Sequence, residues 1–275
     1  MARAVQAVSF RQTQRWCLKS NFWQSSSFMQ TFGAIIIGDE ILSGKRQDKH
    51  LSKVIEQLAK RGLSLSYANY VGDEPPRITA VLRQSFATND VVFSFGGIGA
   101  TPDDHTRQCA AAALGVGLAE HPEAIAQMQA KPDFELTPHR RRMAEFPIGA
   151  TIVPNPYNRI AAFSCGDHHF LPGFPEMSWP MMEWVLETRY SHLFHRVQSA
   201  SESILIQDAG ESNLIDMMNA ILARYPNIRL SSLPKHIPGG RQIEFSLSGS
   251  PGDVPAAMAQ ARAEVTRLGY SFTDL

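Results

Sequence analysis

The sequence describes an α/β protein, a mostly parallel sheet covered by helices, followed by a small α+β unit. Two continuous apolar runs, 33–37 and 91–95, have the character of strands buried on both faces. Apolar residues at helical spacing follow each run, and the pattern changes character near Arg196. Alternation of strand and helix is how a parallel sheet is wrapped by its crossover helices.

In chain order, Gly33-Ala34-Ile35-Ile36-Ile37 predicts the first strand. After a polar loop, Leu51, Val54, Ile55 and Leu58 fall at i, i+3, i+4 and i+7, the apolar stripe of a helix that Gly62 stops. Leu63 to Val71 predicts a second strand, and Ile78, Val81, Leu82 and Phe86 mark a second helix. Val91 to Phe95 is the third strand, and an alanine-rich helix is expected from about Asp103 to Leu114. The stretch from Glu120 to Ala150 is expected to be helical and then loop-like. Short strands are expected at 151–153, 161–164 and 168–171, with Pro172-Gly173-Phe174-Pro175 turning into a helix around Met177–Thr188. Beyond Arg196, strands at 203–207, 228–233 and 242–248 alternate with helices, one carrying Leu214, Met217, Met218, Ile221 and Leu222 and the other spanning Val254 to Leu268. Their order is β-α-β-β-α. The expected organisation is a disordered extension over 1–30, a large domain over 31–195 and a small one over 196–275.

Among the 275 residues, 44% are hydrophobic and 19% charged, enough apolar material for a sizeable core. Lys plus Arg and Asp plus Glu stand at 26 each, so no global charge points to nucleic acid or a membrane surface. The dense basic run His139-Arg140-Arg141-Arg142 is taken as a solvated helix face. Cys17, Cys109 and Cys165 form neither a disulfide framework nor a zinc pattern, which fits a reducing, cytoplasmic compartment. No apolar run reaches the length of a membrane span. The first acid in the chain is Asp39, and the residues before Met29 include Arg3, Arg11, Arg15 and Lys19. Such an opening resembles a transit segment, and an over-long translation start is the preferred reading.

Two loops at the ends of buried strands carry the chemistry. Gly96-Gly97-Ile98-Gly99-Ala100-Thr101-Pro102-Asp103-Asp104-His105-Thr106 follows the third strand and opens a helix. Glycines let backbone approach a ligand closely, and free N–H groups at a helix start favour phosphate. Thr101 and Thr106 offer hydroxyl donors. Helix capping accounts for Thr101, Pro102, Asp103 and Asp104 equally well, and both readings stand at this point. Gly38-Asp39-Glu40-Ile41-Leu42-Ser43-Gly44-Lys45 ends the first strand. Parallel strands bring such ends to one edge, so Asp39, Glu40, Asp103 and Asp104 are expected to share a pocket. Two carboxylates at about 4 Å repel by roughly 4 kcal/mol at an effective dielectric of 20, and a hard divalent cation such as Mg²⁺ would relieve this.

Gly38-Asp39-Glu40-Ile41-Leu42 and the run from Gly96 to Thr106 resemble the MoaB/Mog-like molybdopterin-binding family. Val71-Gly72-Asp73, Asn155-Pro156 and Pro172-Gly173-Phe174-Pro175-Glu176-Met177 are similar in order and spacing to its competence/damage-inducible branch. The resemblance covers about 32–190. It implies a three-layer α/β/α domain binding molybdopterin or a nucleotide by its phosphate. For that branch it further implies a metal-dependent pyrophosphatase acting on ADP-ribose or related dinucleotides. Carried over, Gly38, Gly96, Gly97 and Gly99 cradle the ligand, and Ser43, Thr101 and Thr106 hydrogen-bond it. Pro172 and Gly173 shape the wall. Asp39, Glu40, Asp103 and Asp104 are the catalytic acids, with Asp39, Asp103 and Asp104 holding Mg²⁺ or Co²⁺. The alternative is a non-catalytic molybdopterin-binding module.

Three features depart from the family pattern. Its Asp-x-Asn is here Asp48-Lys49-His50, and the loop after Asn155-Pro156 reads Tyr157-Asn158-Arg159-Ile160-Ala161-Ala162 without the expected glycines. The C-terminal amidohydrolase domain of long members is not expected here, nor is nicotinamide-nucleotide deamidation. His168 and His169 are neighbours on a strand, point to opposite faces and are taken as structural. Met177, Met181, Met182 and Trp184 are taken as core or interface, and apolar surface on Met177–Leu186 would suit a homo-oligomer. His236, Pro238, Gly239 and Gly240 are taken as a hairpin loop.

Overall fold

The structure, a computed structural model, describes residues 30–131, 135–196, 200–238 and 240–275. The N-terminal segment expected to lie outside the fold falls almost wholly outside the described residues.

The first sheet begins with β1 (Phe32–Ile37), whose residues are all buried, as a strand covered on both faces requires. A single turn, α1 (Asp39–Leu42), leads to α2 (His50–Ala59), then β2 (Leu65–Val71), α3 (Pro75–Phe86) and β3 (Val91–Phe95). After β3 come α4 (Thr106–Leu114), β4 (Leu118–Glu120), α5 (Pro122–Gln129), α6 (Pro138–Arg141) and β5 (Glu145–Pro147). The sheet closes with β6 (Thr151–Val153), β7 (Ala162–Cys165) and β8 (His168–Leu171), and α7 (Pro175–Val185) crosses back over it. Strand order is β2-β1-β3-β8-β7-β6. The first four of these strands run parallel, and β7 is antiparallel to both neighbours. Helices α2 and α7 pack one face through Val54, Leu58, Met181, Met182 and Val185. Helices α3, α4 and α5 pack the other through Ile78, Leu82, Ala110, Ala124 and Met128. The result is three layers, α/β/α.

A further small domain carries β9 (Ala200–Gln207), α8 (Ile215–Arg224), β10 (Arg229–Ile237), β11 (Gly240–Gly249), α9 (Asp253–Arg267) and β12 (Phe272–Asp274). Its antiparallel sheet, β10-β11-β9-β12, buries Ile204, Ile206, Phe245 and Leu247 under Met217, Ile221, Val254 and Met258. The β10–β11 hairpin turns between Ile237 and Gly240, where the loop was expected.

Several expectations need correction. Ile55 is 49% exposed, and the inward position on α2 belongs to Gln57, whose amide oxygen accepts from Arg61 at 2.5 Å. Helix α4 starts at Thr106 rather than near Asp103, so Thr101 and Pro102 do not cap it. Strands β4 and β5 pair antiparallel within the stretch taken as helix and loop, and β12 extends the small sheet beyond the expected β-α-β-β-α. The apolar surface expected on Met177–Leu186 is mostly turned inward: Met181, Met182, Val185 and Leu186 are buried, and Trp184 is 37% exposed.

The basic run does lie on a solvated helix. Arg141 pairs with Glu120 through two bonds of 2.7 and 2.5 Å. His168 and His169 do point to opposite faces. His168 meets Ser85 at 2.7 Å and tilts against Phe86. On the other side the Tyr190 hydroxyl donates to Asp167 at 2.7 Å, which leaves its oxygen to accept from His169 Nε2 at 2.8 Å. Nδ1 of His169 then accepts from Ser164 at 2.7 Å. Burial pushes the His168 pKa down to about 4 and that of His169 well below the ordinary value. Both imidazoles are neutral struts of the core.

Candidate functional site

Parallel pairing sets Ile37 beside Val71, and Ile36 beside Phe95, which in turn stands beside Leu171. The carboxyl ends of β2, β1, β3 and β8 therefore open onto one edge, where ligands of open α/β sheets collect. Four loops meet there: Gly72-Asp73, Gly38-Asp39-Glu40, Gly96–Thr101 and Pro172-Gly173.

The glycine loop is held from within. The Gly96 amide donates to Leu171 O at 3.0 Å, joining the ends of β3 and β8. Gly96 has φ +102°, and a β-carbon there would collide with the Ile37 carbonyl. Gly97 has φ +66°, and its β-carbon would strike the Thr106 hydroxyl. Thr106 is fully buried; its hydroxyl donates to Gly96 O at 3.0 Å and its amide to Gly97 O at 2.9 Å. That side chain, expected to bind ligand, has the loop backbone as its partner. The Asp104 carboxylate accepts from the Thr101 amide at 2.9 Å and from the Thr101 hydroxyl. These bonds close the loop and leave the amides of Gly97, Ile98, Gly99 and Ala100 without a partner among the described residues.

The acids do gather at the edge, though not as a cage. Asp39 N donates to the Asp73 carboxylate at 2.8 Å and Asp73 N to the Asp39 carboxylate at 3.2 Å, a reciprocal clasp between the ends of β1 and β2. Gly72 leaves room for it, since a β-carbon there would sit 2.5 Å from Asp39 Oδ1. Burial raises the Asp73 pKa, and the charges of Asp39, Glu40 and Asp103 raise it further against the Asp39 N–H. Glu40 is exposed and stands 4.0 Å from Arg46. Gly38 is buried, its amide bonded to Val71 O at 3.0 Å, and Ser43 reaches only Glu40 O at 3.4 Å. Among the described residues, no three His, Cys, Asp or Glu side chains stand together as a metal-holding group. The donor set expected for Mg²⁺ or Co²⁺, Asp39, Asp103 and Asp104, is thus not assembled among the described residues: one oxygen of Asp39 is turned to the Asp73 amide and one of Asp104 to Thr101.

The wall opposite is built by His50 and the turn after β8. His50 is buried, stacks on Phe95 with centroids 4.5 Å apart and meets Gly173 O through Nε2 at 3.2 Å. Its Nδ1 is buried without a partner among the described residues, and burial lowers its pKa despite Gly173 and Asp48. Asp48 caps α2, accepting from His50 N at 2.8 Å and Leu51 N at 3.1 Å, and it also accepts from Tyr70 OH at 2.7 Å. Burial, then Asp48, pushes the Tyr70 pKa up to about 12. Gly173 packs against Gly96, where an added β-carbon would come within 3.4 Å of the Gly96 α-carbon. Pro172, half-buried, precedes it at the rim.

Sequence reasoning missed Arg107. It lies under the loop with its guanidinium donating to Gly99 O at 2.6 Å. An arginine in the first turn of a helix gives no sign that it is buried. A cavity of about 570 Å³ lies apart from these loops, between α5 and α7, lined by Ala126, Ala130, Pro156, Pro180 and Trp184.

Comparison with known proteins supports the fold and places the chain in a family. A putative competence-damage inducible protein of Levilactobacillus brevis is 30% identical over 210 residues, covering 73% of this chain and 50% of its own length. A CinA-like protein of Geobacter sp. is 29% identical over 248 residues, covering 86% of this chain and 58% of its own. The chain thus spans about half the length of these curated relatives. The crystal structure of the protein CinA from Thermoplasma acidophilum superposes with a TM-score of 0.53 at 26% identity, over 57% of this chain and 98% of that one. The family described as a probable molybdopterin binding domain matches residues 33–192, more than half of the chain, and it is to this family that the chain belongs.

Proposed function

We propose that residues 31–195 form a ligand-binding domain whose sheet edge holds the phosphate of a small molecule, molybdopterin or a nucleotide. The observation that carries this is the row of unpartnered amides on Gly97, Ile98, Gly99 and Ala100, at a loop whose glycines admit no β-carbon. Backbone amides converging at a strand end are a ready anion site, and a side chain at any of those glycines would stand in the ligand's place or break the loop. Membership of a molybdopterin-binding family supports the ligand class.

Hydrolysis of a nucleotide pyrophosphate such as ADP-ribose is the second reading, favoured by the acidic rim of Asp39, Glu40, Asp73 and Asp103. These residues do not make a resident metal site, so a divalent cation would have to arrive with the ligand's own phosphate oxygens.

The test is a melting-temperature panel with ADP-ribose, FAD, NAD, AMP and molybdopterin, each with Mg²⁺, Co²⁺ or chelator, and products resolved by chromatography. A stabilising shift without product supports a binding module. Metal-dependent release of AMP from ADP-ribose supports the hydrolase. No shift with any ligand overturns the phosphate-site reading.

A further inference from the structure

The loop that offers its amides to an anion is ringed by acids, yet one cation lies directly beneath it. Arg107 is only 3% exposed, and no carboxylate forms an ion pair with it among the described residues. Its guanidinium is held by main-chain carbonyls: Gly99 O at 2.6 Å on the loop, Glu145 O at 3.4 Å at the start of β5, and Arg142 O. Its Nε is buried without a partner among the described residues. Burial lowers the Arg107 pKa, with Glu145 and Asp104 the nearest opposing influences. A guanidinium stays protonated even so.

A buried cation bonded only to carbonyls is costly to keep for stability alone, and Glu145 and Asp104 offset only part of its desolvation. The bond to Gly99 O fixes the peptide between Gly99 and Ala100, and the bonds to Arg142 O and Glu145 O anchor the guanidinium to the turn that leads into β5. The field of a buried charge is screened far less than that of Lys45 or Arg46 on the surface. It acts on the same loop where Asp39, Glu40 and Asp103 would otherwise repel a phosphate.

We infer that Arg107 is the positioning residue of the glycine loop and the buried counter-charge for an anion bound on its amides. This rests on the phosphate-site reading. It assigns the site a preference for higher anionic charge, as in a diphosphate over a monophosphate.

The experiment is an NMR titration of the full chain with inorganic phosphate and with pyrophosphate, following the loop amides, in wild type, Arg107→Met and Arg107→Lys. Arg107→Met should weaken phosphate by roughly tenfold and pyrophosphate by roughly thirtyfold, the logarithm of the loss growing with anion charge. Arg107→Lys keeps the charge but cannot span all three carbonyls. It should recover most of the pyrophosphate affinity while the loop amides of the free protein shift. Should the methionine variant not fold, Arg107→Gln makes the same comparison. Equal losses for both anions, or a lysine variant no better than the neutral one, overturn the inference alone. No response of the wild-type amides to either anion overturns the phosphate site and the inference with it.

Discussion

Acidification provides the sharpest quantitative test of how this core is built. His168 is 4% exposed, bonded to Ser85 at 2.7 Å and tilted against Phe86 with centroids 4.3 Å apart. Burial takes its pKa from 6.5 to about 4, opposed only in part by Asp167 and Asp90. Between these two values the unfolded chain binds a proton that the folded chain does not. Stability therefore rises with pH through this window; the contribution is complete above about 6.5 and is lost as pH falls toward about 4. The difference between 6.5 and about 4 corresponds to about 3 kcal/mol, of which about 2 kcal/mol is already gone at about pH 5. His169 and His50 shift in the same direction and steepen the loss. The assay is urea unfolding of wild type and His168→Gln across that range, read by Trp179 and Trp184 fluorescence. Glutamine can still bond Ser85 but does not titrate. The wild type should lose about 2 kcal/mol more than the variant between about pH 7.5 and pH 5. Parallel pH profiles for the two proteins would refute the assignment of a buried neutral imidazole at this position.

Other consequences follow from the same geometry. Gly97→Ala places a β-carbon at φ +66° against the Thr106 hydroxyl, so roughly 1–2 kcal/mol of stability should be lost, together with any ligand-induced rise in melting temperature. His50→Ala removes the ring stacked on Phe95 and the bond to Gly173 O; thermal unfolding should show a loss of about 2 kcal/mol, and ligand-induced stabilisation should shrink because the Pro172-Gly173 wall is freed. Burial pushes the Cys165 thiol up to about 12 and raises Cys109 as well, so at mildly alkaline pH both should alkylate far more slowly in the folded protein than in urea. Peptide mass spectrometry after a timed iodoacetamide pulse measures this, and labelling at the unfolded rate would contradict the packing around these cysteines.

Much of the architecture is legible along the chain because burial on both faces leaves an unmistakable trace. Ile35-Ile36-Ile37 and Val91-Val92-Phe93 can only be central strands, and Val54, Leu58, Ile78 and Leu82 mark helix faces that must cover them. Strands β4, β5 and β12 are three residues long and lack the continuous β-branched run that marks Thr151-Ile152-Val153. Ile55 and Gln57 show a second limit. Which flank of an amphipathic helix is covered depends on its neighbour, here Arg61 reaching across from α2 to Glu187 at 2.6 Å.

The candidate site divides the same way. Gly96, Gly97 and Gly99 and the acids of two loops point in the sequence to one edge of the sheet, because glycine at a strand end marks a bulge, a tight bend or a close approach of backbone. Thr101, Pro102, Asp103 and Asp104 look equally like a helix cap, and local chemistry cannot separate the two uses of a threonine hydroxyl. Tertiary structure decides it: Asp104 takes the Thr101 amide, and α4 begins only at Thr106, whose hydroxyl turns inward to Gly96 O. Whether acids at converging strand ends form a metal cage or clasp one another is likewise a matter of ångströms. Asp39 and Asp73 bind each other's backbone, which needed the register of β1 on β2. The burial of Arg107 and of His50, the latter noticed in the sequence only as a departure from the family's Asp-x-Asn, is hidden for the opposite reason. Arginine and histidine on helices ordinarily face water, and only the packing of α4 under the loop and of α2 against Phe95 places them inside. Sequence alone determines which segments must be buried and where the backbone must turn tightly, since those depend on residue type and period. Which polar side chain meets which carbonyl is set by distances between segments far apart in the chain, and only the folded structure holds that information.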